Sequence, residues 1–168
     1  MNKSNISPRI SIDLLPVIFW IHGGGFMTGD GTPDSFGPQY LVAHKVIVVT
    51  INYRLGPLGY LSLGTDEVPG NMGQLDQIMA LQWVQDNIES FGGDNNLVTL
   101  FGQSAGAAAA SYHIFSPMAK GLMRRVIADS GVGGFMPSFH HHQEEEAIRC
   151  TNLMFKSISS TKSCSHHK

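Results

Sequence analysis

Cysteine is scarce in this chain. Cys150 and Cys164 are the only two, too few and too late in the sequence to form a disulfide framework. Long apolar runs are missing as well: none approaches the ~20 residues of a membrane-spanning helix, and Met1 to Asp13 lacks the apolar core of a signal peptide. No sign of charge dominates. Eleven Lys and Arg stand against 13 Asp and Glu, a net charge of −2. This excludes the electrostatic footprint of a nucleic-acid binder or of a membrane-surface protein. Internal repeats are absent. The His140-His141-His142 triplet has no matching carboxylate or cysteine spacing. Adjacent loop histidines do not converge on one ion, so a solvated loop is the better reading and no metal is implied. What remains is an ordinary globular composition, 42% hydrophobic over 168 residues. That length suits one domain able to remove roughly 70% of its unfolded surface from water.

Glycine, in contrast, is plentiful, and two clusters of it carry chemistry. Val98-Thr99-Leu100-Phe101 reads as a buried strand, and it runs straight into Gly102-Gln103-Ser104-Ala105-Gly106. Ala105 to Ile114 then holds five alanines and no proline, which suits a helix. Gly-x-Ser-x-Gly in that context sets a serine on a sharp strand-to-helix turn, with its hydroxyl clear of the sheet. The pentapeptide alone is also compatible with an ordinary Gly-rich turn. The second cluster lies upstream. The apolar strand Val17-Ile18-Phe19-Trp20-Ile21 is followed at once by His22-Gly23-Gly24-Gly25-Phe26. Three glycines leave backbone N–H groups unobstructed and free to point at a developing negative charge. By itself this loop is equally readable as a flexible turn. Together the two clusters supply a nucleophile and its oxyanion donors, which a serine hydroxyl needs before it can attack.

Organisation follows an α/β pattern. Short apolar strands are expected near Pro16–Ile21, Val46–Ile51, Leu97–Phe101 and Arg125–Asp129, with helices between them. The clearest helix begins at Asn71, with Gln74 as a capping-box partner. Leu75, Ile78, Leu81, Val84 and Ile88 mark its apolar face. The stretch 52–73 is rich in glycine and reads as a surface loop. Residues 1–13 form an N-terminal extension, 14–134 the core, and 135–168 a region of different character. In that last region 143–155 reads as a polar-faced helix with Glu144, Glu145 and Glu146 in its first turn. Residues 156–168 form a Ser/Lys-rich tail expected to be disordered.

From Leu14 to Gly134 the chain resembles the type B carboxylesterases and cholinesterases of the α/β-hydrolase superfamily. The resemblance rests on His22–Phe26, Asn52–Gly56, Gly59–Leu61, Pro69–Gly73, Leu75–Gln77, Ala80–Val84, Asn87–Ile88, Phe91–Asp94, the elbow itself and Ser130-Gly131. Its flavour is that of insect carboxylesterases. The resemblance implies a partial α/β-hydrolase fold, a mostly parallel sheet flanked by helices. It makes Ser104 the acyl-forming nucleophile and Gly24, Gly25 and Ala105 the oxyanion-hole amides. The substrate would be a small-molecule carboxylic ester, and no cofactor is implied. Gln103 stands where cholinesterases carry a glutamate, which argues against a cationic choline-type substrate; some juvenile-hormone esterases share this Gln-Ser-Ala. Trp83 and Phe91 are expected to be core packing. Family members are mostly secretory, an expectation that the sequons at Asn2 and Asn5 support here.

A serine hydrolase of this fold needs an acid and then a histidine downstream of the serine. Asp129 before His140–His142, and Glu144–Glu146 before His166 and His167, are the pairs on offer. Neither fits the family, in which both residues sit on loops after later strands. His22 belongs to the oxyanion loop and His113 to the helix behind the elbow. The chain therefore reads as a fragment or short isoform lacking the triad acid and base. If its strands order as in the family, Val46–Ile51 and Arg125–Asp129 become open edges, and the isolated product should be poorly soluble. The alternative is a catalytically inactive product or an interaction module on the same fold.

Overall fold

A computed structural model describes residues 13–134, together with Glu145, Ile148, Arg149 and Lys156. Most of the extension 1–13 and most of the region 135–168, including the expected helix and tail, lie outside the described residues. Among the described residues four strands run in parallel: β1 (Leu15–Ile21), β2 (Ile47–Thr50), β3 (Gly93–Gln103) and β4 (Arg125–Asp129). Their order in the sheet is β2-β1-β3-β4, so the expected edges are the edges found. The helices are α1 (Gln39–Val42), α2 (Gly56–Tyr60), α3 (Met72–Asn87) and α4 (Ala105–Phe115).

Alternation along the strands divides the sheet into two faces. Val17, Phe19 and Ile21 of β1 and Val98 and Leu100 of β3 are fully buried, in one core cluster with Leu81, Val84 and Ile88 and with Ala109 and Ala110 of α4. Four consecutive alanines, Ala107 to Ala110, let α4 lie close on the strands. On the other face Trp20 stacks on Phe36 at 4.0 Å and meets Phe101 edge-on at 4.8 Å. The loop that follows β1 thus folds back over that face of the sheet.

Four local expectations need correction. The helix does begin after Asn71, but no capping box forms. Asn71 is left-handed at φ 59° and makes no side-chain cap bond, whereas a capping residue needs extended geometry to reach the first turn. Gln74 instead donates from Nε2 to the Ala109 carbonyl at 3.4 Å, across to α4. The buried stripe of α3 is Gly73, Gln77, Leu81 and Val84, with Leu75 and Ile78 only half-buried. The stripe turns because polar Gln77 is held inside by His113. Trp83 and Phe91 are not core: they are 47% and 64% exposed and rest on each other at 5.8 Å. Finally, β3 starts four residues earlier than its apolar run, through Asp94-Asn95-Asn96, because backbone pairing of Gly93 with Leu15 needs no apolar side chain.

Candidate active site

Strand order fixes where a site can form. From β1 the chain moves to β2 on one side, and from β3 it moves to β4 on the other. The carboxyl ends of β1 and β3 therefore flank the point where the winding reverses, the crevice in which open α/β sheets bind ligands. Ile21 pairs with Gly102 at that end. One residue further on, the glycine loop leaves β1; two residues further on, Ser104 leaves β3.

Ser104 has φ 55° and ψ −120°, a conformation that costs an L-residue about 1–3 kcal/mol. The turn is held from several sides. The Ser104 N–H donates to the Asp129 carbonyl at 2.8 Å, and the Ser104 carbonyl accepts from Ala107 and Ala108 as α4 begins. The glycines flanking the serine are needed for space, not for a left-handed φ. A Cβ on Gly102 would overlap the Gly106 carbonyl, and one on Gly106 would overlap the Ile21 carbonyl. A Cβ on Gly131 would stand 2.6 Å from the Ser104 carbonyl oxygen.

The glycine loop lies directly beside the serine. A Cβ on Gly23 would come within 3.1 Å of the Ser104 Cβ and 2.8 Å of the Gln103 carbonyl. Gly24 and Gly25 follow, at φ 106° and 62°. The Gly24 carbonyl is turned back to accept from Met27 N at 3.0 Å and Thr28 N at 3.1 Å. Around the Cβ position of Gly25 there is open space. Ala105 is the first residue of α4, where helix geometry offers its N–H no intrahelical acceptor. The sequence-nominated residues Ser104, Ala105, Gly24 and Gly25 thus belong to two adjoining turns at one end of the sheet.

None of the three described histidines is bonded to the serine. His113 lies nine residues along α4, about 13 Å by the helical rise, and its Nε2 donates to Gln77 Oε1 at 2.8 Å. Burial pushes its pKa down to about 4. His44 precedes β2, at the far end of the sheet. His22 is buried, its ring stacked on Tyr53 at 4.4 Å and its Nδ1 donating to the Gly23 carbonyl at 2.8 Å. Its Nε2 has no hydrogen-bond partner among the described residues, Ser104 Oγ included. His140 to His142, His166 and His167 lie outside the described residues. Asp129 is exposed and accepts from the Ser130 hydroxyl at 2.7 Å. The open cleft lined by Phe115, Pro117, Lys120 and Arg125 sits at the opposite end of α4, away from Ser104.

A match to the Carboxylesterase family covers residues 7–164. The chain belongs to that family. Juvenile hormone esterase from Tribolium castaneum is 53% identical over 118 residues, covering 70% of this chain and 20% of that protein. Venom carboxylesterase-6 from Apis mellifera is 47% identical over 149 residues, 89% of this chain and 26% of the relative. Among solved structures, juvenile hormone esterase from Manduca sexta with OTFP covalently attached superposes with a TM-score of 0.70 at 53% identity, over 71% of this chain and 23% of the other. The chain thus spans about a fifth to a quarter of the length of these three relatives. The fold is that part of an α/β-hydrolase, a parallel sheet flanked by helices, and among the described residues no helix is long and apolar enough to cross a membrane.

Sequence reasoning on this member of the carboxylesterase family missed Tyr53 and Gly29, both of which brace the glycine loop. Tyr53 donates its hydroxyl to the His22 carbonyl at 2.8 Å, and a Cβ on Gly29 would meet the His22 ring. The only sequence signal for Tyr53 was its place in the resembling Asn52–Gly56 segment; a lone tyrosine in a glycine-rich loop has no periodicity to mark it.

Proposed function

We propose that this chain carries the nucleophile and oxyanion hole of a serine carboxylic-ester hydrolase. Ser104 Oγ attacks the carbonyl carbon of a small-molecule ester, and the oxygen becomes an oxyanion held by the N–H groups of Gly24, Gly25 and Ala105. Collapse breaks the bond to the alcohol, which leaves with a proton. Water then attacks the acyl-Ser104, releasing the acid and restoring the hydroxyl. The base that takes the serine proton, and the acid that orients it, come from outside the described residues. The observation that carries this reading is the strained backbone of Ser104 beside the glycine loop. The covalent ligand named for the Manduca sexta relative supports a covalent step, and the name of the venom carboxylesterase supports a secretory destination. Gln103 leaves the position before the serine uncharged and favours neutral over cationic esters.

The test is to treat the native source with a fluorophosphonate probe and recover the peptide containing Gly102-Gln103-Ser104-Ala105-Gly106. Label on Ser104 in a parent longer than 168 residues is the expected result. Label on a 168-residue parent would move the base to His140–His142 or His166–His167. An unlabelled Ser104 in the folded protein would overturn the reading in favour of a non-catalytic product on the same fold.

A further inference from the structure

A peptide unit is planar, so fixing a carbonyl also fixes the N–H of the next residue, which points the opposite way. Three successive carbonyls are fixed in the loop after β1. The His22 carbonyl accepts the Tyr53 hydroxyl at 2.8 Å, which sets the Gly23 N–H. The Gly23 carbonyl accepts from His22 Nδ1 at 2.8 Å, which sets the Gly24 N–H. The Gly24 carbonyl accepts from Met27 N, Thr28 N and Thr28 Oγ1, which sets the Gly25 N–H. The first two of these bonds depend on Tyr53. Its hydroxyl makes one of them, and its ring, 22° from parallel with the His22 imidazole, sets the plane from which Nδ1 makes the other. On the far side, Gly106 packs against the same His22 carbonyl.

We propose that Tyr53 is a positioning residue for oxyanion stabilisation: its bond to the His22 carbonyl anchors the peptide from which the Gly23–Gly24 peptide continues, and its stack on the His22 ring holds the Nδ1 bond that aims the Gly24 amide at the oxygen that becomes negative on Ser104. This deepens the esterase reading and rests on it. Burial holds the Tyr53 hydroxyl up at about 12, so it remains a donor at any working pH. The glycines have no side chains to hold their own peptides, and a donor that must be aimed before the reaction needs an outside brace.

The experiment compares Tyr53→Phe with the unaltered native protein. Tyr53→Phe keeps the stack and removes the hydroxyl. Four quantities are read: thermal melting, kcat, KM, and the affinity for a trifluoromethyl ketone, which forms an oxyanion on the serine without turning over. The expected result is a folded variant with kcat lower by about tenfold, KM unchanged, and ketone affinity lower by the same factor as kcat. His22→Phe is the second variant. It removes the Nδ1 donor and leaves an aromatic ring on Tyr53, and its expected loss is about a hundredfold in both kcat and ketone affinity. A folded Tyr53→Phe or His22→Phe protein that loses melting temperature but keeps kcat and ketone affinity would overturn the proposal, because a purely structural brace would do that. An unaltered protein that binds no ketone and takes no fluorophosphonate at Ser104 would overturn the esterase reading itself.

Discussion

Gly106, in the first turn of α4, lies directly against the main-chain carbonyl of Ile21 at the end of β1, so close that a Cβ there would overlap it. The contact ties the helix behind Ser104 to the strand that launches the glycine loop. It decides how near the two halves of the candidate site can come. Gly106→Ala must push α4 off β1 or rotate its first turn. Overpacking side chains into a tight core costs about 1–3 kcal/mol, and here the obstacle is backbone, which cannot change rotamer. The expected outcome is a lower melting temperature and loss of fluorophosphonate labelling together. A variant that melts as the parent does would show that the helix can yield.

Strain at Ser104 predicts a difference in stability between two substitutions at that position. Ser104→Ala removes the hydroxyl but keeps φ at 55° for a residue with a Cβ. Ser104→Gly removes both. Glycine takes positive φ without the steric cost but gives back some unfolded-state entropy. The net expectation is that the glycine variant is more stable than the alanine variant by about 1 kcal/mol. Both should be inactive. Urea unfolding of the pair measures the difference, and equal midpoints would mean that the elbow stores no strain at this residue.

Gly24 and Gly25 are adjacent and both have positive φ, yet their environments differ. A Cβ on Gly24 would overlap the Thr28 carbonyl, whereas one on Gly25 meets nothing. Gly25→Ala should therefore fold, with a strain of about 1 kcal/mol, and should keep a measurable fraction of kcat. Gly24→Ala must open the turn that Met27 and Thr28 close. Its expected loss is about 10²–10³ in kcat, the size seen when an oxyanion donor is removed. Steady-state kinetics on the two variants checks the order. Equal losses would mean that the turn adapts.

Much of this arrangement is legible from the residues. The four strands are marked by short apolar runs, and the two glycine clusters announce themselves by what precedes and follows them. Less legible is whatever depends on one residue meeting another far away. The polar start of β3 is fixed by pairing of Gly93 with Leu15, and Asp94-Asn95-Asn96 has no strand-like pattern. Asn71 and Gln74 have the right spacing for a capping box, but the left-handed backbone at Asn71 and the reach of Gln74 to α4 prevent it. Tyr53 supports a carbonyl 31 residues away. Such a role depends on the crossover between β1 and β2, which no local pattern encodes.

His113 provides a pH test of the core under the elbow. It is 2% exposed and donates to Gln77 Oε1, and burial lowers its pKa from 6.5 to about 4. Between those values the unfolded chain binds a proton that the folded chain does not, so stability rises with pH through this window. The contribution is complete above about 6.5 and is lost progressively as the pH falls toward 4, to a total of about 3 kcal/mol. His113→Leu should remove that slope. It should also lower stability at pH 7.5 by about 1–3 kcal/mol, because Gln77 Oε1 loses its donor inside the core. Urea unfolding at pH 7.5, 5.5 and 4.5 separates the two effects. The parent's advantage over the variant should fall steadily as the pH drops, and turn into a deficit once the lost contribution exceeds it. A difference that stays constant across the three values would mean that another group, not His113, carries the acid sensitivity of this half of the fold.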